Sequence, residues 1–298
     1  MVVTIENTTG GILNDTFPGT DGTSVKSYHI LTTVIGILAV VSNGLLLIAM
    51  VRYRSTIFTC RGAYLIANLA IADLLTGLNS SLWGLRYAFR LPQALNQMLL
   101  LISWINIEAS FITILVMSLE RYIAIVFPFK AQVWLSKTRT TKCCVAAWFI
   151  SVMCGACMGL SPLIVGFCLM IVFEITIVVT TFFYYKIVMK LRERRTILTS
   201  MHSNGARATR NNANFLREYK LTTVVVLLVV ILIITVLPYI FAFQIFFVQH
   251  LSTLNLKLEL FLVYYLPAGL INFVLNPIVY AWRLPNYRLA LLRSLHCR

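Results

Sequence analysis

The chain has 298 residues, of which 59% are hydrophobic and only 12% charged. Soluble domains carry roughly 25% charged residues, so a soluble domain of this length is excluded. The net charge of +15 does not point to nucleic acid, because the basic residues fall in short clusters between apolar runs and no basic face carries interleaved aromatics.

Residues 1–26 form a polar, Gly/Thr-rich tail with no apolar core of a signal peptide. Its sequons at Asn7 and Asn14 are expected glycosylation sites on a disordered extracellular tail. Seven apolar segments follow: Ser27–Tyr53, Gly62–Phe89, Asn96–Phe127, Arg139–Leu160, Leu163–Leu191, Phe215–Gln249 and Lys257–Trp282. About 20 apolar residues cross a bilayer as a helix, so residues 27–283 are predicted to be one seven-transmembrane helix bundle, an all-α membrane protein. A third sequon, at Asn79, falls inside the second segment, out of reach of glycosylation. From Leu284 to His296, Leu284, Leu289, Leu292 and Leu295 alternate with Arg288 and Arg293, the pattern of a helix lying in the membrane interface. Residues 284–298 are therefore that helix and a short cytoplasmic tail. Cys297 beside it is a candidate for palmitoylation, with an unmodified thiol as the alternative.

Basic residues set the orientation. Arg52, Arg54, Arg61, Lys130, Lys137 and Arg139, with the cluster Lys190–Arg195, gather on one side, and few basic residues face the other. The crowded side is cytoplasmic by the positive-inside rule, which leaves the N-terminus outside at the plasma membrane. Of the 7 cysteines, nearly all lie within apolar runs or on the basic side, where thiols stay reduced. Cys154 and Cys157 read as C-x-x-C but lack His or acidic neighbours, so packing outweighs a metal site. No disulfide and no catalytic constellation is expected.

A polar residue in lipid is expensive unless it faces the bundle interior, so each is a functional candidate. Asp73 is centred in the second segment; Asn106 and Ser110 are one turn apart on the third, Asn272 and Asn276 on the seventh. Oxygen ligands at this spacing suit a small hard cation, sodium above all; the alternative is a neutral Asp73 bonded to its neighbours. Arg121 stands at a cytoplasmic boundary next to Glu120, where acids on two helices can hold it in one position. Glu108 and Glu174 are further intramembrane acids, which share a proton with each other or meet a cationic ligand. Trp83, Arg86 and Arg90 lie near the outer end of the second segment and suit an anionic or peptidic group, with plain solvation as the alternative.

Asn43, Leu69-Ala70-Ile71-Ala72-Asp73, Glu120-Arg121-Tyr122, Trp148, Pro238 and Asn276-Pro277-Ile278-Val279-Tyr280 occur in chain order on successive segments. This ordered set resembles the rhodopsin-like G-protein-coupled receptors over residues 27–296. The resemblance implies a sodium pocket at Asp73, Asn106, Ser110, Asn272 and Asn276. It implies a resting pair of Arg121 with Glu120, Glu218 as that arginine's second partner, and Tyr184 with Tyr280 as a pair that reorients on activation. Pro128 and Phe129, with Arg121, resemble the G-protein contact.

The chain departs from the family pattern at several positions. Asn96 stands where the family's third-helix cysteine is usual, and the second outer loop is nearly absent. Val236 replaces the tryptophan two residues before Pro238, and Thr176 replaces the fifth-helix proline. In these absences the chain is similar to the melanocortin branch of the melanocortin, lysophospholipid, cannabinoid and adenosine receptor group. Ser103 stands where amine receptors have an aspartate and Leu270 where opsins have the retinal lysine. Trp83, Ser103, Glu108, Glu174 and Val236 are the candidate ligand-pocket residues. The implied function is a receptor that passes an extracellular stimulus to a heterotrimeric G protein, with appreciable ligand-independent activity. No cofactor is implied, sodium being an allosteric ligand; the partners are membrane lipids, the G protein and an extracellular ligand of unknown class. A non-signalling decoy of the same fold and an ion-coupled transporter are the alternatives.

Overall fold

The computed structural model describes residues 22–89, 92–160, 162–200, 206–250 and 256–295. Asn7, Asn14 and Cys297 lie outside them, as does the side chain of Glu218. Seven long helices run in chain order: α1 Gly22–Arg52, α2 Gly62–Phe89, α3 Gln93–Val126, α4 Lys137–Leu160, α5 Pro162–Ser200, α6 Ala206–His250 and α7 Leu256–Arg283. The shorter α8, Pro285–Leu295, follows, and two brief helices, Arg54–Ile57 and Pro128–Trp134, sit in the connections. There is no strand among the described residues.

Backbone groups in hydrocarbon must be satisfied within their own segment, which makes long helices the available solution for this composition. Six described helices are long and apolar enough to cross a membrane. The remaining long helix, α7, carries Asn272, Asn276, Pro267 and Pro277. The chain is a multi-pass membrane protein.

The burial pattern differs from that of a water-soluble bundle, with apolar residues on the outside and polar residues within an otherwise apolar core. Val145, Phe149, Val178 and Ile234 are exposed on the outside, where lipid is the solvent, whereas Asn43, Asp73, Ser110 and Asn276 are fully buried. The polar residues thus hold the spans in register from within. α3 is the central strut, touching α2, α4, α5 and α6. α1 and α2 pack closely because Gly36 and Gly77 face each other: a methyl group at Gly77 would stand 2.8 Å from the Ala39 Cβ and 2.8 Å from the Gly36 carbonyl. Only glycine permits that backbone approach.

Several segment ends differ from expectation. α5 runs on to Ser200 and α6 begins at Ala206, beyond the apolar stretches, because good helix formers among the basic residues extend each helix past the lipid boundary. α4 ends at Leu160 and α5 begins at Pro162, so the nearly absent outer loop is a single-residue junction. Tyr287 and Ala290 of α8, with Leu284 just before it, are buried against the bundle while Leu289 and Leu292 stay half exposed; the apolar residues serve two faces, one on α1 and α7 and one toward the bilayer. The six described cysteines are free thiols.

Candidate functional site

The buried polar centre is built on Asp73. Its carboxylate accepts a bond from Ser110 Oγ of α3 at 3.0 Å and one from Asn276 Nδ2 of α7 at 2.6 Å. Three helices therefore meet at one acid that is 0% exposed. Asn106 and Asn272, the other two expected members, are buried at 3% and 1% exposure but make no bond to that carboxylate. The Nδ2 of Asn106, both amide atoms of Asn272, the Oδ1 of Asn276 and the Tyr280 hydroxyl are buried without a partner. Unmatched buried polar atoms are costly and call for an ion or water. Two free amide oxygens next to a carboxylate fit a hard cation. Asn43 locks α1 to this centre by donating to the Phe273 carbonyl at 2.9 Å and to the Ala39 carbonyl at 3.0 Å.

At one end of α3, Arg121 Nη2 pairs with Glu120 Oε1 at 2.8 Å. Both are largely buried, at 11% and 5% exposure, so the pair feels a lower dielectric than a surface bridge. Arg61, in the turn just before α2, adds a second cation: its Nε is 3.8 Å from the same carboxylate oxygen and its Nη1 donates to the Leu135 carbonyl at 2.7 Å. Arg61 was counted in the sequence only as a basic-side residue. Val224 and Val225 of α6 close over Glu120 and Arg121, leaving a cleft of about 20 Å³. Tyr122 stacks on Phe183 of α5 with ring centroids 4.8 Å apart. Tyr184 bonds to Ser118 of α3 at 3.4 Å rather than to Tyr280, which is fully buried beside Tyr287 of α8 with centroids 6.3 Å apart. Pro128 starts the short helix Pro128–Trp134, on which Phe129 projects at 85% exposure.

Toward the other end, a cavity of about 120 Å³ opens among the spans. Trp104 and Phe111 of α3, Phe173 of α5, Tyr239 of α6 and Phe273 of α7 supply its aromatic wall. Of the residues expected to line a ligand pocket, Trp83, Ser103 and Val236 do so. Glu108 and Glu174 are not among its described lining residues: Glu108 is buried beside Cys154 of α4, and Glu108 Oε2 and Glu174 Oε1 are buried without a hydrogen-bond partner. The side chains of Arg86 and Arg90 lie outside the described residues.

Two polar links escaped sequence reasoning. Asn68 donates to Thr113 at 2.8 Å and accepts from the Trp148 indole at 3.0 Å, tying α2, α3 and α4. Asn79 donates to the Leu99 carbonyl at 2.9 Å and to Ser103. The signal was present, since the cost of polar groups in lipid that singles out Asp73 applies equally to Asn68 and Asn79.

Residues 42–161 match the family model described as 7 transmembrane receptor (rhodopsin family). No curated protein matches the chain. The matched stretch runs from within α1 to the end of α4, and the helices continue beyond it to α8, so the first half of the bundle is similar to the seven-transmembrane receptors of the rhodopsin family.

Proposed function

We propose that the whole chain is a rhodopsin-family receptor that sits in the plasma membrane with its N-terminus outside and activates a heterotrimeric G protein at the Arg121 end of the bundle. The observation that carries the reading is the closed cleft at Arg121. A buried ion pair on α3 is capped by two valines of α6, the arrangement of a bistable element in its resting state. Outward movement of α6 uncovers Arg121 and opens a cavity beside the exposed Phe129 and Pro128, a surface of the size and polarity that a partner helix needs. Tyr184, held on Ser118, and Tyr280, buried without a partner, are free to exchange partners during that motion, with Pro277 as the break in α7 that permits it.

Sodium is the proposed occupant of the Asp73 centre, held by Asp73 and Ser110 with the unmatched amide oxygens of Asn272 and Asn276, while Asn106, whose unmatched atom is the donor Nδ2, turns its amide oxygen to the ion. It supplies the positive charge that a buried carboxylate needs and favours the packing in which α3 and α7 stay joined. Signalling without ligand follows from Val236, which fills less of the cavity floor than the family's tryptophan. A second-messenger assay in cells, read first without ligand, tests the whole reading. A surface-expressed chain that neither signals basally nor responds after Glu120→Gln would be a decoy.

A further inference from the structure

We infer that the cavity remote from Arg121 takes an uncharged, largely apolar ligand that carries a hydroxyl or carbonyl oxygen; this rests on the receptor reading above. The cavity spans Leu100 to Phe111 along α3, which places its near edge about 15 Å from Arg121 at 1.5 Å per residue. Among the described residues its lining contains no Asp, Glu, Lys, Arg or His. A charged ligand would lose its hydration there without meeting a counter-charge, at a cost no apolar contact offsets. The nearest buried acid on α3, Glu108, lies beside Cys154 and not in the lining.

The hydroxyl groups narrow the chemistry further. Thr32 donates to the Tyr28 carbonyl at 2.9 Å, Thr76 to the Ala72 carbonyl at 2.8 Å and Ser103 to the Leu99 carbonyl at 3.0 Å. The Trp83 indole lies near the Tyr28 hydroxyl. The polar groups of the lining that remain without a hydrogen-bond partner are the hydroxyls of Ser80 on α2 and Tyr239 on α6, and the indole of Trp104. All three can donate a bond, so the matching ligand atom is a neutral oxygen acceptor. The volume of about 120 Å³ is close to the roughly 150 Å³ apolar cavity that binds benzene, which sets the scale at one or two rings, or the end of a longer chain. Tyr239 directly follows Pro238, the proline inside α6. A ligand bonded to both Ser80 and Tyr239 joins α2 to the moving helix at its kink, and so has a different affinity for each packing of α6, as a ligand that switches the receptor must.

The test uses the full chain in lipid nanodiscs and three probes of one shape and different charge: 1-naphthol, 1-naphthylmethylammonium and 1-naphthoate. Thermal unfolding is followed by far-ultraviolet circular dichroism against probe concentration. Saturable stabilisation by 1-naphthol alone is expected. Ser80→Ala and Tyr239→Phe should each raise the half-maximal concentration roughly three- to tenfold, the loss of one hydrogen bond. Val236→Trp, which fills the cavity, should abolish the effect. Equal or stronger stabilisation by either charged probe would overturn the inference, as would a 1-naphthol effect that is unchanged in Ser80→Ala and Val236→Trp. If Tyr239→Phe does not fold, those two variants still decide. The readout contains no G protein, so a chain that binds 1-naphthol but gives no second messenger sinks the receptor reading alone. One that signals but ignores 1-naphthol sinks this inference alone.

Discussion

Replacing Val236 by Trp should both stabilise the receptor and silence it. Val236 lines the cavity together with Phe111, Phe173 and Phe273, where Phe111 and Phe173 already stack with centroids 4.2 Å apart. Atoms around an empty apolar space lack dispersion partners on one side, and the loss runs at about 24 cal/mol per Å³. A cavity of about 120 Å³ therefore corresponds to about 3 kcal/mol at most. An indole fills part of it. Half of that gain delivered to the resting packing, about 1.4 kcal/mol, lowers the active fraction about tenfold. The assay is basal second-messenger output from cells matched for surface receptor, paired with the unfolding midpoint of the purified protein. A higher midpoint with at least a severalfold drop in basal output is expected. An unchanged or increased basal signal at a raised midpoint would refute the assignment of the cavity to the resting state, and an unchanged midpoint would refute the packing argument itself.

Asp73→Asn keeps the shape of the Asp73 centre and removes its charge, so nucleotide exchange in membranes should lose its dependence on sodium, tested against an organic cation at equal ionic strength; a full sodium response in the mutant would sink the site. Arg61→Gln deletes the second cation on Glu120 and the bond to the Leu135 carbonyl, and Glu218→Ala deletes the expected second partner of Arg121. Each should raise basal output severalfold in surface-matched cells, and no change in either would mean that the ion pair at Arg121 does not restrain α6. Gly77→Ala puts a methyl group 2.8 Å from both the Ala39 Cβ and the Gly36 carbonyl, an overpacking cost of about 1–3 kcal/mol that should lower the unfolding midpoint. Gly44→Ala, whose methyl would meet Leu74 at an ordinary 3.7 Å, should not, and equal effects would remove close α1–α2 packing from the account.

The spans were legible because the cost of exposing a polar backbone to lipid is paid by whole segments, and an apolar run in sequence is that segment. Depth was legible too: Asp73, Ser110 and Asn276 meet as their positions along three helices require. What a segment's composition does not carry is how neighbouring helices are rotated and how closely they approach. Arg61 reaches Glu120 and Leu135 through the meeting of the turn before α2 with the end of α3 and the connection after it, and no local pattern announces it. The misplacement of the two acids is a different matter, because helical geometry already argued against them. Successive residues turn about 100° around a helix. Ser103, Ile107 and Phe111 recur every fourth residue and all line the cavity, whereas Glu108 comes five residues after Ser103, about 140° around α3. Glu174 directly follows the lining residue Phe173, about 100° off its face. Intramembrane position made both acids functional candidates, but only azimuth decides whether a ligand meets them. Their absence leaves the described lining of the cavity without a charged group, and that feature, more than any residue present in it, selects the chemistry of what binds.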